Sequence, residues 1–303
     1  MLRAFILAFI LAFALAGLSA GEARVQVVAT NTILADIARH VGGDRVTVTS
    51  LLSPGLDAHV FQPTPDDAKR VASSAVVVEN GLGLEGWMRD LVRSSGFAGR
   101  LITASAGITP LAGDGCTAHK DDDKAHGCSD PHAWQDLANG IRYAQNIRDG
   151  LSAADPLGAA DYSAWSDAYC GQLRVLDSWV RRQIASVPVD RRVLVTSHAA
   201  LSYFGRAYGL DMHAVEGVAS GQEPDAKHLA ELIGLLRARR IGAVFIDNVS
   251  NPNAVQRVGA EAGVANGGRL FSDSLDAPGS PAGTYAGMFL VNTRTIVRGL
   301  ERR

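Results

Sequence analysis

AADYSAWSDAYCGQLRVLDSWVRRQIAS, residues 159–186, has a helical pattern over nearly its whole length. Its large apolar residues recur at spacings of approximately three and four, and they are Trp165, Tyr169, Leu173, Leu176 and Val180. At ~1.5 Å per residue such a helix is about 40 Å long, enough to run along two packed units. We therefore predict a rigid connecting helix, assigned to residues 156–187, whose aromatic stripe lies in a core.

Strands and helices alternate on both sides of this helix. The strand-like runs are residues 25–29, 46–52, 76–78 and 101–103 before it, and 192–196, 212–215, 243–247 and a run beginning at residue 269 after it. Such alternation predicts mostly parallel sheets, and about 280 residues is a comfortable length for two domains. We predict an α/β protein of two lobes, residues 21–155 and 188–303, each a mostly parallel sheet flanked by helices.

The first twenty residues have the pattern of a secretory signal peptide. Arg3 gives one positive charge, an apolar run extends from residue 4 to residue 18, and small residues follow. The run is shorter than the ~20 residues that a membrane span needs. We predict cleavage after Ala20, with Ala23 as the alternative. Leu18 stands where a lipoprotein signal has its lipidated cysteine, so we expect a soluble periplasmic protein that is not lipidated.

Composition and net charge limit the classes of function that the protein could have. The net charge is −2 and hydrophobic residues make up 47% of the chain, enough for a substantial core. No basic stripe with interleaved aromatic residues is present, so we expect no nucleic-acid partner. Among the three cysteines, Cys116 and Cys128 could close the intervening loop as a disulfide in an oxidising compartment. Cys170 then remains as a free thiol buried within a helix.

Four metal-ligating side chains lie at turns beside predicted elements. His59 follows a strand, His132 precedes a helix, His198 stands between a strand and a helix, and Asp273 follows a strand. Three imidazoles and one carboxylate form a tetrahedral set suited to zinc, with Zn–N distances of about 2.0–2.1 Å. Spacing alone, however, does not select these four from eight histidines and many acidic residues.

A resemblance selects them. The whole mature chain resembles the zinc- and manganese-binding solute-binding proteins of bacterial metal ABC importers. The matching runs, in order, are Asp57-Ala58-His59-Val60-Phe61 with Pro63-Thr64-Pro65, Asn80-Gly81-Leu82-Gly83-Leu84-Glu85, Asp130-Pro131-His132-Ala133-Trp134, Thr196-Ser197-His198, Glu223-Pro224 and Asp273-Ser274-Leu275. Any one of these runs is a weak signal, but together and in this order they are specific.

The resemblance implies an ion in the cleft between the two lobes and little lobe closure on binding, because the connecting helix resists hinge motion. Carried over by position, the ligands are His59 and His132 from the first lobe and His198 and Asp273 from the second. Manganese-binding members typically have a carboxylate at the third of these positions. His198 therefore favours zinc, which prefers nitrogen ligands.

The resemblance also implies the function. We expect a monomer that captures Zn²⁺ in the periplasm and delivers it to an ABC permease with a cytoplasmic ATPase, without catalysing a reaction. A manganese carrier of the same family is the nearer alternative. A zinc-dependent hydrolase is the other, but a fourth protein ligand at Asp273 closes the coordination position that catalysis needs, and the chain has no His-Glu-x-x-His helix motif.

The loop of residues 116–128 corresponds to the histidine- and acid-rich insertion of many zinc-binding members, but it is short. One interpretation is a solvated, highly charged loop without a metal role. The alternative is that His119 and His126 capture zinc weakly and pass it to the main site, or receive it from a periplasmic zinc chaperone. Elsewhere, Glu216 and Glu223 are candidates for carboxylates that orient a ligand imidazole.

Overall fold

The computed structural model describes residues 23–113, 129–218, 226–239 and 241–301. The expected signal peptide (residues 1–20) and the loop of residues 116–128, with Cys116, His119, His126 and Cys128, lie outside the described residues. Their predicted roles therefore stay predictions. Among the described residues, no helix is both long enough and apolar enough to cross a membrane.

The first lobe is built on a parallel sheet of four strands in the order β2-β1-β3-β4. The strands are β1 (Val25–Ala29), β2 (Val46–Ser50), β3 (Val76–Glu79) and β4 (Arg100–Thr103), and the helices are α1 (Thr32–Gly42), α2 (Pro65–Ser73) and α3 (Met88–Ser95). Helix α1 begins where the Asn31 side chain accepts a hydrogen bond from the amide of Leu34, and α2 begins with a capping box between Thr64 and Asp67.

A short antiparallel pair and two long helices complete the middle of the chain. The elements are β5 (Leu111–Ala112), β6 (Ser129–Asp130), α4 (Leu137–Ala154) and α5 (Ala159–Ala185). Short 3₁₀ turns lie at Gly43–Arg45, Ala133–Gln135, Pro156–Gly158 and Val189–Arg191. The predicted connecting helix is therefore present as α5, with Tyr169, Leu173 and Val180 buried. It packs against α1 and α4.

The second lobe contains two parallel strand pairs. Strand β7 (Val193–Thr196) pairs with β8 (Asp211–Ala214), and β9 (Ala243–Asp247) pairs with β10 (Ala265–Leu270). The helices are α6 (Ser202–Tyr208), α7 (Ala226–Ala238), α8 (Asn253–Ala262) and α9 (Tyr285–Leu300). Helix α5 also packs against α6 and α9, so one helix supports both lobes and the predicted two-lobe α/β architecture is confirmed.

Most predicted strands differ from the structure by one or two residues at a boundary, and the last strand differs by more. We expected a strand to begin near residue 269, whereas β10 ends at Leu270. Its first residues, Ala265-Asn266-Gly267-Gly268, have few of the branched or aromatic side chains that mark a strand, and its register with β9 shifts between Asn266 and Gly268. The correction leaves Asp273 just beyond the carboxyl end of a strand.

Hydrogen bonds between buried groups join the lobes away from the connecting helix. The amide of Tyr285 donates to Oδ2 of Asp36 at 2.8 Å, and the Tyr285 hydroxyl donates to the carbonyl of Trp134. The indole of Trp134 donates to the carbonyl of Ser272 at 2.9 Å. Because Asp36 and Trp134 belong to the first half of the chain and their partners to the second, these bonds fix the distance across the cleft.

Candidate metal centre

His59 lies on the loop that follows β2. Its backbone amide donates to Oδ1 of Asp57 at 2.8 Å, which turns the chain toward the cleft. The neighbouring carbonyl of Ala58 accepts a hydrogen bond from the Trp87 indole at 2.9 Å, which holds the loop against the first lobe. About 10% of the His59 side chain is exposed, whereas the other three candidate ligands are fully buried.

His132 is held by the aspartate two residues before it. Oδ1 of Asp130 accepts from the backbone amide of His132 at 2.9 Å and lies 2.8 Å from its Nδ1 atom. The carbonyl of Pro131 accepts from the side-chain amide of Asn80 at 3.0 Å, and the carbonyl of Asp130 accepts from the Tyr203 hydroxyl at 2.9 Å. These contacts fix the ring so that Nε2 faces the cleft.

His198 is held in the same manner from the second lobe. Oδ2 of Asp247, the last residue of β9, lies 2.7 Å from Nδ1 of His198. The hydroxyl of Ser250 lies 3.1 Å from the same nitrogen, and its backbone amide donates to Oδ1 of Asp247 at 2.8 Å. Parallel strands bring their carboxyl ends to one edge of the lobe, which is why residues 49 positions apart meet here.

Asp273 completes the cluster from the loop after β10. Its Oδ2 atom lies 3.0 Å from Nε2 of His198 and 3.9 Å from Nε2 of His59. Its Oδ1 atom lies 3.4 Å from Nε2 of His132, and the two imidazoles of His59 and His132 approach to 3.1 Å between their Nε2 atoms. One ligand atom from each of the four residues lies within 4.8 Å of all the others.

Several side chains of the cluster have pKa values far from their usual ones. Burial alone lowers the pKa of His132, but the negative charge of Asp273 and the hydrogen bond to Asp130 outweigh it and raise that pKa to about 9. The pKa of His198 is raised well above its usual value by the same opposition of burial against Asp273 and Asp247. Burial also opposes ionisation of Asp273, yet the two histidines hold its pKa well below its usual range.

His59 differs from its two partners. Burial, the largest influence, lowers its pKa, and the neighbouring histidines add to this effect against the opposing charge of Asp273. Proton binding is therefore favoured at His132 and His198 and disfavoured at His59. A neutral imidazole is the form that binds a metal ion, so His59, the most exposed of the four candidates, needs the smallest change in protonation to bind one.

Sequence reasoning missed the two aspartates that hold the imidazoles. Asp130 stands in the quoted Asp-Pro-His run, and Asp247 ends a predicted strand at the edge where His198 lies, so both carried a usable signal. Asp247 fills the orienting role at His198 that we had considered for Glu216 and Glu223. Glu223 lies outside the described residues, and a role for Glu216, which is buried, stays a prediction.

The remaining described histidines are engaged elsewhere. His40 stacks on Tyr169 with ring centroids 4.5 Å apart, and His228 places Nε2 2.8 Å from the carbonyl of Ala214. His213, in β8, places Nε2 3.2 Å from Oδ1 of Asp211. In the part of the chain that the structure describes, the cluster of His59, His132, His198 and Asp273 is the group with metal-ligand geometry.

Comparison with known proteins identifies the family. A family model described as "Zinc-uptake complex component A periplasmic" (ZnuA) matches residues 27–299. The chain belongs to this family. Its members are solute-binding proteins of ABC importers and not enzymes, which excludes the hydrolase alternative. As a solute-binding protein of this class, it works with a membrane permease and its ATPase.

Relatives of this ZnuA-family protein are named for different metals. It is 35% identical over 295 residues to "Manganese-binding lipoprotein MntA" of Bacillus subtilis (strain 168), with 93% of each chain covered. It is 31% identical over 276 residues to "Iron-binding protein YfeA" of Yersinia pestis, which covers 91% of this chain and 86% of that protein. Membership of the family therefore indicates a divalent metal ion as the cargo, and the names of the family and of its members differ on which ion.

Solved structures agree on the fold. The periplasmic zinc-binding protein TroA from Treponema pallidum superimposes with a TM-score of 0.84 at 29% identity, over 92% of this chain and 100% of TroA. This similarity extends across both lobes and the connecting helix. The predicted fold and the predicted family are thus both confirmed.

The expectation that the protein is not lipidated is wrong. MntA of B. subtilis, which matches over 93% of each chain, is named a lipoprotein, as are other relatives. Our expectation rested on Leu18, a single position in a segment that lies outside the described residues. A location outside the cytoplasmic membrane is supported.

Proposed function

We propose that this ZnuA-family protein binds Zn²⁺ through His59, His132, His198 and Asp273 and delivers it to the importer's permease. The observation that carries this proposal is the convergence of three imidazole nitrogens and one carboxylate within 4.8 Å. Buried groups of this kind are costly unless they are paired or bind a cation, so their convergence needs a functional reason. Four protein ligands close a tetrahedral zinc site, as carriage rather than catalysis requires.

The composition of the ligand set supports zinc over manganese. Imidazole nitrogen suits zinc, whereas carboxylate, carbonyl and water oxygens suit manganese. Three of the four proposed ligands are imidazoles, and two of these hydrogen-bond through Nδ1 to a buried carboxylate. A carboxylate on the far nitrogen makes an imidazole a stronger donor toward the metal.

Manganese is the second candidate, because MntA of B. subtilis is named as a manganese-binding protein and is 35% identical to this chain. A titration in which zinc and manganese compete for the metal-free protein decides between a zinc carrier and a manganese carrier. We expect tight one-to-one zinc binding to the metal-free mature protein, with zinc displacing manganese. A preference for manganese would instead make this protein a manganese carrier and would remove His198 as the residue that selects zinc.

Variants in the same titration test the ligands. We expect His198→Ala and Asp273→Ala to lose most of the zinc affinity, since each removes one of four donors. His228→Ala is the matched control, because His228 contacts the carbonyl of Ala214 and lies outside the cluster. Unchanged zinc affinity in His198→Ala and Asp273→Ala would contradict the proposed ligand set, whichever metal the parent prefers.

We also propose a division of labour along the chain. Residues 21–155 form the lobe that supplies His59 and His132, and residues 188–303 form the lobe that supplies His198 and Asp273. Residues 156–187 connect the two and resist their separation, since α5 packs on helices of both lobes. The hydrogen bond between Asp36 and the amide of Tyr285 supports the same resistance to separation from across the cleft.

A further inference from the structure

Ser274 is the residue after the proposed ligand Asp273, and its hydroxyl reaches across the cleft. Its Oγ atom accepts a hydrogen bond from the backbone amide of Gly55 at 2.8 Å. Gly55 lies four residues before His59 on the same loop, and 219 positions before Ser274 in the chain. The side chain of Ser274 is buried, with 2% of the residue exposed. A loop that carries one ligand is therefore fastened to the loop that carries another.

A second contact anchors this junction to the frame of the first lobe. The hydroxyl of Thr32 accepts from the amide of Leu275 at 2.8 Å, and its Oγ1 atom lies 3.4 Å from Oγ of Ser274. Thr32 is the first residue of α1, whose next residues, Ile33 and Leu34, are in the core. The segment around Ser274 thus has a fixed contact to a buried helix and a second contact to an exposed loop.

We propose that the Ser274 hydroxyl is a latch that holds the His59 loop closed and thereby sets the rate at which the bound ion leaves. The inference rests on the proposed function, because it concerns the same four ligands. It holds for either divalent ion and does not depend on which metal is the natural cargo. Ser274 is a positioning residue in this account, since its hydroxyl acts through Gly55 and not on the ion.

The path of release follows from burial. His132, His198 and Asp273 have fully buried side chains, and His59 is the ligand with contact to solvent. The loop before it is exposed at Pro54 and Gly55, and 47% of Leu56 is accessible. Separation of the lobes would instead break the Asp36–Tyr285 bond and disturb the packing of α5. Movement of the His59 loop alone leaves these contacts intact, and the bond that it breaks to the other lobe is the one between Gly55 and Ser274.

The test compares release rates in two serine variants. The parent, Ser274→Ala and Ser272→Ala are loaded with Zn²⁺, and dissociation is followed after mixing with excess chelator. Ser272 is the matched control: it flanks Asp273 on the other side, is fully buried, and its hydroxyl has no hydrogen-bond partner among the described residues. We expect Ser274→Ala to release zinc about tenfold faster, the equivalent of one lost hydrogen bond, and the control to match the parent.

Rates of zinc association distinguish the loss of a latch from a general loss of structure. A latch acts on the loaded state, so Ser274→Ala should bind zinc at nearly the parental rate while releasing it faster. Thr32→Val provides a second variant, because it removes the anchoring hydroxyl without touching the loop, and we expect faster release in it also. Thermal unfolding of each metal-free variant checks that the fold is retained.

The outcomes are distinguishable. A parental release rate in a folded Ser274→Ala would overturn the latch, and so would equal acceleration in Ser272→Ala. If Ser274→Ala does not fold, Thr32→Val takes its place in the test. Faster release from Thr32→Val then supports the latch, and parental release overturns it. A parent protein that binds neither zinc nor manganese would overturn the proposed function itself, which the same loading step reports before any release is measured.

Discussion

The Nδ1 atom of His198 lies 2.7 Å from Oδ2 of Asp247, and both side chains are buried. Asp130 makes the equivalent contact with His132 at 2.8 Å. Each lobe therefore supplies a carboxylate–imidazole pair whose second nitrogen is left to face the cleft. Such partners fix the ring orientation and strengthen the imidazole as a metal ligand.

This relationship predicts the effect of Asp247→Asn. The substitution keeps the shape but removes the charge that supports His198, so zinc affinity should fall by about 10- to 100-fold. Competition with a chelator measures the change. Asp211→Asn is the matched control, because Asp211 also contacts a histidine, His213 at 3.2 Å, outside the cluster. Equal affinity in Asp247→Asn and the parent would show that Asp247 does not act on the metal.

Zinc affinity should rise with pH. The raised pKa of His132, about 9, and that of His198 mean that the metal-free site holds protons which zinc must displace. Each displaced proton changes the affinity about tenfold per pH unit below these pKa values. Titrations between pH 5.5 and 7.5 measure the slope, and calorimetry in buffers of different ionisation enthalpy counts the protons released. A flat profile would be incompatible with a site of three histidines.

The stability of the metal-free protein should change in the opposite direction. A histidine whose pKa is higher in the folded state stabilises that state when protonated. The contribution of His132 is therefore fully present below the unfolded value of ~6.5 and is lost as the pH rises through about 9. Thermal unfolding of the metal-free protein at several pH values checks this. His132→Gln should reduce the change between pH 6.5 and pH 9.

The identity of the third ligand should control metal preference. In His198→Glu a carboxylate replaces an imidazole, so the ratio of zinc to manganese affinity should fall by at least about tenfold. His59→Ala is the comparison variant, because it removes one donor without adding an oxygen ligand. Parallel titrations with both ions give the ratio. A ratio that is unchanged in His198→Glu would assign the selection of metal to another feature of the centre.

Glu85 should stabilise the segment that positions His132. Its carboxylate accepts hydrogen bonds from the Thr30 hydroxyl at 2.6 Å and from the amide of Asn80 at 2.8 Å, and burial raises its pKa to about 7. Glu85→Ala leaves these donors unpaired and should lower the free energy of unfolding by about 2–4 kcal/mol. Chemical denaturation measures the loss. Glu79→Ala, which removes a half-buried partner of Thr103, should cost less.

Sequence reasoning predicted much of the fold from local signals. The apolar spacing around Leu173 and Val180 correctly placed α5, and Asn31 and Thr64 marked the starts of α1 and α2. Strand β10 was misplaced because Asn266, Gly267 and Gly268 supply none of the branched side chains that identify a strand.

Only part of the candidate metal centre could be predicted from the sequence. The resemblance selected His59, His132, His198 and Asp273, whereas periodicity placed each of them at a turn and went no further. The contact between Asp247 and His198 spans 49 positions, and that between Gly55 and Ser274 spans 219. No local pattern reports such pairs, because they depend on how the strands of one lobe align and how the two lobes meet.

The raised pKa values of His132 and His198 have one more consequence. A metal ion that enters the cleft competes with protons at both imidazoles, so filling the site adds less net charge than the ion carries. The empty and the loaded carrier then differ in overall charge by less than the charge of the ion. A permease that accepts only the loaded form then needs a difference in shape to recognise, and the proposed movement of the His59 loop would supply one.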